Sequence, residues 1–121
     1  MNLPDCQCLE LRLDGSFLTV WFNRPTVKNA LSLEMVSELE SVLNAIADNR
    51  GIRALVLRGK GGHFCAGGDI KDMAKAKQAK PTPDGVDPVA SLNRRFGSVI
   101  SALNKTPQTV IAVVEGAAMG G

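Results

Sequence analysis

Two glycine-rich segments of this sequence have residue types and spacing that could do chemistry. The first runs from Gly59 to Asp69 and holds five glycines, and the second runs from Glu115 to Gly121. Each follows a short apolar run that predicts a buried parallel strand, and α/β folds place their ligand sites at the carboxyl ends of such strands. Two such turns could aim two backbone N–H groups at one oxygen, which is what stabilising an oxyanion or enolate requires.

Glycine turns also have a purely structural explanation, because glycine permits positive φ and close packing without any ligand. Gly67-Gly68-Asp69 opens a predicted helix and so fits the geometry of an anion-binding helix start, as does Met119-Gly120-Gly121. A pair of such turns favours the functional interpretation more than one turn would. On the residues alone, both interpretations stay open.

Other nucleotide and metal motifs match poorly. Lys60 is followed by glycine, so the Walker A pattern fails, and residues 61–67 have the wrong spacing for the dinucleotide fingerprint. Cys6 and Cys8 could bind a soft metal, but no second Cys/His pair lies nearby. We therefore expect no metal site.

The remaining reactive side chains have ordinary structural explanations. His63 could be a base, but no serine or cysteine nucleophile has a recognisable context, so a solvated or capping histidine is favoured. Cys65 could be activated at a helix start, although a small buried thiol is favoured. A row of lysines could attract phosphate or simply form a solvated helix face: Lys71, Lys75, Lys77 and Lys80.

The elements that must position the first turn begin with a hairpin. Alternating residues 9–14 and the aromatic and β-branched run 17–22 predict two strands joined at Asp14-Gly15. Ser32 is a good N-cap for a helix over 32–49, whose apolar residues have helical spacing. The apolar run 52–57 predicts a parallel strand, which completes a βαβ unit.

The second half of the chain predicts two further helices and one more strand. We expect a helix over 70–80, an irregular and mobile loop over 80–88 with three prolines, and a second long helix over 89–105. Residues 110–114 predict another buried strand. A buried strand followed by a glycine turn normally leads into a further element. We therefore expect either that the chain is a fragment or that another polypeptide supplies the rest of the fold.

Composition narrows the class of protein. The 121 residues carry 14 basic and 12 acidic side chains, a net charge of +2, and the basic residues are not clustered with aromatics. This charge argues against nucleic acid as a partner. No apolar run is long enough to span a membrane, and the start lacks a signal-peptide pattern. Three cysteines in a chain of ordinary composition indicate reduced thiols, so a cytoplasmic protein is expected.

Three motifs carry a resemblance to a known family. They are Asn23-Arg24-Pro25-Thr26-Val27-Lys28-Asn29-Ala30-Leu31, Phe64-Cys65-Ala66-Gly67-Gly68-Asp69-Ile70-Lys71-Asp72-Met73 and Ile111-Ala112-Val113-Val114-Glu115-Gly116-Ala117-Ala118-Met119-Gly120-Gly121. In order and spacing they resemble the enoyl-CoA hydratase/isomerase (crotonase) superfamily. The resemblance covers residues 9–121 and matches the N-terminal half of the family's single domain.

The resemblance implies an α/β fold, a spiral of ββα units that binds an acyl-CoA thioester. It implies that Gly68 and Gly121 donate their backbone N–H groups to the thioester oxygen as an enolate forms. It also implies a substrate-binding set: Val27, Lys28, Ala30 and Ala66 along the coenzyme A, and Asp69, Ile70 and Lys71 beside the acyl group. Asp69 is also a plausible helix N-cap. Coenzyme A would enter as part of the substrate, with no permanently bound cofactor, and the complete protein would form a homo-oligomer built from trimers.

The resemblance leaves the reaction open. Hydratases of the family take their acid/base carboxylates from regions that lie beyond Gly121, and we interpret Glu34, Glu38 and Asp72 as solvated surface charges. The expected activity is addition of water to a 2-enoyl-CoA. The alternatives are an isomerase, another lyase or hydrolase of the family, or a fragment that binds acyl-CoA without turnover.

Overall fold

The computed structural model describes residues 3–80, 85 and 87–120. In this part of the chain, strands β1 (Leu9–Asp14), β2 (Phe17–Phe22), β3 (Ala54–Gly59) and β4 (Thr109–Ala112) form one sheet in the order β1-β2-β3-β4. The helices are α1 (Leu33–Ile46), α2 (Ile70–Gln78) and α3 (Pro88–Lys105), and short 3-10 turns cover Pro25–Val27 and Lys60–Gly62.

The first two strands form the predicted hairpin. β1 and β2 pair antiparallel, from Leu9 opposite Phe22 to Asp14 opposite Phe17. Leu18, Val20 and Phe22 on one face of β2 are buried. The alternating pattern therefore predicted both the strands and the face that meets the helices.

Helix α1 connects β2 to β3, which lie parallel, so the predicted βαβ unit is confirmed. The Ser32 hydroxyl accepts the N–H of Met35 at 3.1 Å and caps α1 as expected. The buried face of α1 packs against the sheet and consists of Met35, Val36, Leu39, Val42, Leu43 and Ile46. β3 begins two residues later than predicted. Ile52 is buried, but its N–H donates to Asn49 in the connection, and burial alone does not make a residue part of a strand.

Two isolated bridges show how the units stack. After β2 the chain reaches Leu31, and after β3 it reaches the segment 65–68. Leu31 pairs parallel with Gly68, and Cys65 pairs parallel with Ala118, which follows β4. Each unit therefore runs from a strand of the sheet to a short bridging segment. Helix α1 follows the bridging segment at Leu31, and α2 follows the one at 65–68. This repetition matches the predicted α/β spiral.

The later elements depart from prediction at their ends. Ala79 turns to an extended conformation, so α2 ends at Gln78 instead of residue 80. Asp87 caps α3 by accepting the Val89 N–H at 3.0 Å, and Pro88 opens that helix and is not part of the loop. The rest of the predicted mobile loop, at 81–84 and 86, lies outside the described residues.

The prediction that the last strand is buried is wrong for the described chain. β4 covers Thr109–Ala112, and three of its four residues are exposed, including Ile111 at 46%. Within the described residues β4 pairs with β3 alone. An apolar run indicates that a strand is suited to burial, but the strand is buried only where other elements cover both of its faces.

Two of the three acids interpreted as solvated surface charges have structural partners instead. The Glu38 carboxylate accepts the backbone N–H groups of residues 7–9 at 2.8 to 3.1 Å, which ties the start of the chain to α1. The Asp72 carboxylate accepts the Leu33 N–H at 2.8 Å and holds α2 against the first turn of α1. Glu34 is exposed, as expected.

Candidate functional site

The two glycine turns lie side by side. The N–H of Cys65 donates to the carbonyl of Ala117 at 3.0 Å, and the N–H of Met119 donates back to the carbonyl of Cys65 at 2.9 Å. A Cβ built on Gly120 would lie 3.4 Å from the Cα of Gly67. The parallel order of β3 and β4 brings both carboxyl ends to the same edge, so segments far apart in sequence meet there.

An apolar cavity of about 370 Å³ opens beside these turns. Backbone of both turns reaches it, at Gly67, Gly68 and Gly120. Side chains of α1, α3, the sheet and the first turn complete the wall, among them Phe22, Leu39, Leu57, Phe64, Phe96 and Val99. No carboxylate of the described residues lines the cavity. The described wall can therefore bind an apolar group but supplies no carboxylate for proton transfer.

Gly68 is placed so that its N–H can serve a ligand. Its neighbours are both bound to Leu31, whose N–H donates to the Gly67 carbonyl at 2.7 Å and whose carbonyl accepts the Asp69 N–H at 3.0 Å. Since successive N–H groups of an extended chain point to opposite sides, the N–H of Gly68 points away from Leu31. It donates to no acceptor in the described part of the chain. Gly121, the other predicted donor, lies outside the described residues.

Asp69 fixes the start of α2 directly after Gly68. Its Oδ1 accepts the N–H groups of Lys71 and Asp72 at 2.9 and 3.1 Å, so the expected N-cap is confirmed. Its Oδ2 lies 2.9 Å from Nη2 of Arg24. Burial by itself raises the pKa of Asp69, but these N–H donors and the Arg24 guanidinium outweigh it and lower the pKa below its ordinary value.

Sequence reasoning missed Arg24 and Asn29, which anchor the first glycine turn through hydrogen bonds and an ion pair. Arg24 also donates from Nη1 to the Ala30 carbonyl at 2.6 Å. Asn29 is fully buried with φ of 59°, accepts the Arg24 N–H at 2.8 Å and donates to the carbonyls of Lys60 and His63 at 2.9 and 2.7 Å. An asparagine in a turn between a strand and a helix was the available signal, because asparagine tolerates the left-handed region and bonds nearby backbone.

The other predicted substrate-binding residues surround the first turn but do not line the cavity. The pairing of Leu31 with Gly68 sets the segment 27–30 beside this turn. Ala30 is buried, Ala66 is half-buried, and the remaining side chains are exposed: Val27, Lys28, Ile70 and Lys71. Their contacts with substrate stay predictions.

The histidine and cysteine of the first turn both bond to backbone. Nδ1 of His63 accepts the N–H of Ala117 at 2.9 Å, which fits the expected capping histidine. Cys65 is half-buried, and its Sγ accepts the N–H of Gly67 at 3.4 Å. Both side chains therefore help to hold the turns; Cys65 also lines the cavity, and His63 does not.

Cys8, Glu34 and Glu38 place their ligand-type atoms within 4.8 Å of one another near the start of α1. Burial, followed by the charge of Glu38, raises the pKa of both Cys6 and Cys8 to about 11. The group lies where the Glu38 carboxylate accepts the backbone N–H groups of residues 7–9 and ties the chain start to α1.

Within the described residues, no helix combines the length and apolar character needed to cross a membrane. The chain is therefore an α/β protein in which two glycine turns lie side by side next to an apolar cavity. Residues 17–121 match the family model for enoyl-CoA hydratase/isomerase.

Solved structures and curated relatives agree with this match. A crystal structure of an enoyl-CoA hydratase/isomerase from Marinobacter aquaeolei is 50% identical, with a TM-score of 0.86 over 92% of this chain and 42% of that chain. Enoyl-CoA hydratase EchA19 of Mycobacterium tuberculosis is 35% identical over 88% of this chain and 38% of its own length. The 1,2-epoxyphenylacetyl-CoA isomerase of Escherichia coli is 34% identical over 89% of this chain and 40% of its own length.

The chain belongs to the enoyl-CoA hydratase/isomerase family, the crotonase superfamily. It spans less than half the length of these relatives.

Proposed function

We propose that the complete protein binds an acyl-CoA thioester and adds water to a 2-enoyl-CoA. The N–H groups of Gly68 and Gly121 hold the thioester oxygen, which gains negative charge as the enolate forms. Donors already in place for that charge stabilise the transition state, and one such donor contributes roughly 3 kcal/mol.

The observation that carries this proposal is the position of Gly68. Its N–H has no acceptor in the described chain, although the Gly67 carbonyl before it and the Asp69 N–H after it both bond to Leu31. Gly68 also lines the apolar cavity, so a carbonyl bound there has an apolar space beside it for its acyl chain. A backbone N–H donor beside an apolar cavity wall suits a group whose charge develops during the reaction, because electrostatic interactions are stronger away from water.

Proton transfer is assigned to residues outside the described part. The described cavity wall holds no carboxylate, and an oxyanion hole by itself polarises a thioester without moving protons efficiently. The complete protein is proposed to be a homo-oligomer built from trimers, as the family resemblance implies.

Double-bond isomerisation is the second candidate, because a relative from Arabidopsis thaliana, 31% identical to this chain, is named as a Delta(3,5)-Delta(2,4)-dienoyl-CoA isomerase. Both reactions pass through a stabilised enolate, so the site geometry serves each of them.

Incubation of the complete protein with a 2-enoyl-CoA separates these reactions by mass spectrometry. Hydration adds one water to the mass of the thioester, whereas isomerisation leaves the mass unchanged and moves the double bond, which proton NMR detects. Product heavier by one water supports the hydratase. Unchanged mass with a shifted double bond supports the isomerase, and no conversion of any enoyl-CoA contradicts both.

Calorimetry tests the substrate class independently of turnover. Acetyl-CoA should bind far more tightly than acetate, because most of the contact area lies on the nucleotide and pantetheine, and NADH serves as the nucleotide control. Exposed lysines such as Lys28 contribute about 1 kcal/mol or less each, so affinity should fall only modestly with salt. Equal affinity for NADH and acetyl-CoA would rule out a coenzyme A site.

A further inference from the structure

His63 belongs to the first glycine turn, and its main chain is anchored by Asn29. It ends the 3-10 turn Lys60–Gly62 with extended dihedral angles, φ −128° and ψ 138°. Its carbonyl accepts a hydrogen bond from Nδ2 of the buried Asn29 at 2.7 Å. The backbone at His63 is thus anchored to the same asparagine that holds the segment after β2.

The imidazole of His63 extends this anchor to the second turn. Nδ1 accepts the backbone N–H of Ala117 at 2.9 Å. A neutral imidazole that accepts on Nδ1 carries its proton on Nε2, so this contact selects one tautomer. Among the described residues, a side chain makes this hydrogen bond between the two glycine turns, whereas the other hydrogen bonds between them join backbone to backbone.

The ring and the second turn have fixed positions relative to each other. A Cβ built on Gly116 would lie 2.5 Å from Nδ1 of His63 and would overlap the carbonyl oxygen of Gly62. The backbone of Gly116, with φ of 55°, therefore packs directly on the imidazole. The ring thus contacts the backbone of Gly116 as well as bonding to Ala117.

The rest of the second turn follows from Ala117. Its carbonyl accepts the N–H groups of Phe64 and Cys65, each at 3.0 Å. Met119 then donates to the Cys65 carbonyl at 2.9 Å, and the described ladder between the turns ends there. Ala117 and Met119 therefore fix the part of the second turn that directly faces the first turn.

We propose that His63 is a positioning residue, which fixes the second glycine turn against the first by accepting the Ala117 N–H. This inference rests on the proposed function, because its effect on turnover acts through the oxyanion site of Gly68 and Gly121. His63 lies outside the cavity lining and makes no contact with the reacting atoms in this role.

Three substitutions in the complete protein test this role. Asparagine places Oδ1 the same number of bonds from the main chain as Nδ1, glutamine places its acceptor one bond further away, and alanine has none. We expect His63→Ala to lower kcat on a 2-enoyl-CoA roughly tenfold, less than the loss of a whole donor costs, with KM little changed. His63→Asn should recover most of the lost kcat, and His63→Gln should not.

Amide hydrogen exchange provides a readout that does not depend on turnover. The Ala117 N–H should exchange faster in His63→Ala and His63→Gln than in the wild type and His63→Asn. Wild-type kcat in His63→Ala, or equal loss in the alanine and asparagine variants, would overturn the inference. If circular dichroism shows that His63→Ala does not fold, the comparison of His63→Gln with His63→Asn decides.

Failure of the proposed function looks different from failure of this inference. Absence of any turnover of enoyl-CoA by the wild type would contradict the proposed function alone. The exchange data would then decide the role of His63, and an unchanged Ala117 exchange rate in His63→Ala would overturn it.

Discussion

Arg24 and Asp69 form an ion pair of 2.9 Å that joins the segment after β2 to the start of α2. The side chain of Asp69 is 8% exposed and that of Arg24 is 24% exposed, so little water competes for this contact. Because Asp69 directly follows Gly68, the ion pair helps to hold the backbone of Gly68, whose N–H is the candidate donor, in place.

Removal of the guanidinium should therefore destabilise the protein. We expect Arg24→Ala to lower the free energy of unfolding by about 2–4 kcal/mol, because the buried carboxylate loses its countercharge. Arg95→Ala is the matched control: Arg95 pairs with Glu40 at 3.5 Å on an exposed surface, and its loss should cost at most about 1 kcal/mol. Urea denaturation of both variants measures the difference. Equal effects would show that the Arg24 pair contributes no more than a surface contact.

The same carboxylate predicts how stability depends on pH. Since folding lowers the pKa of Asp69, its stabilising contribution is present above the unfolded-state pKa of about 3.9 and is lost as the pH falls through the folded-state value. The free energy of unfolding should thus fall less steeply below about pH 4 in Asp69→Asn than in the wild type. Asp48→Asn, which removes an exposed acid, is the control. A slope in Asp69→Asn as steep as that of the wild type would contradict this account.

Gly68 offers a pair of substitutions that separates its N–H from its small size. Gly68→Pro removes the N–H and should lower kcat by about two to three orders of magnitude. Gly68→Ala keeps the N–H and should retain near-normal kcat, because φ is not positive there and a Cβ would meet only the side chains of Met73 and Phe96, at 3.3 and 3.5 Å. Circular dichroism checks folding before the kinetics. A folded proline variant with full turnover would exclude this donor.

Two other glycines should respond to alanine in opposite directions. Gly116→Ala should destabilise by about 2–4 kcal/mol, because it combines left-handed strain with overlap against the Gly62 carbonyl. Gly97→Ala should stabilise by roughly 0.5–1 kcal/mol, because Gly97 lies within α3 and a Cβ there meets nothing within 4 Å. Thermal unfolding compares them directly, and a Gly116→Ala variant as stable as the wild type would contradict the crowding at Gly116.

The sequence by itself determined the order and type of the elements. The period-2 pattern of 9–14, the helical spacing after Ser32 and the apolar run before Gly59 depend on short-range geometry, which a linear sequence displays directly. The three motifs likewise identified the family, and the Asp69 cap followed from its position before a helix.

Only the tertiary structure decided which distant groups meet. Nothing in local pattern pairs Arg24 with Asp69, places the Asn29 amide between two carbonyls, or sets the His63 ring on the Ala117 N–H. Such contacts depend on how parallel strands register and where their connections cross, and residue spacing does not encode either. The same reason explains the misjudged acids Glu38 and Asp72: a charge on a helix face is solvated or bonded according to what packs against it.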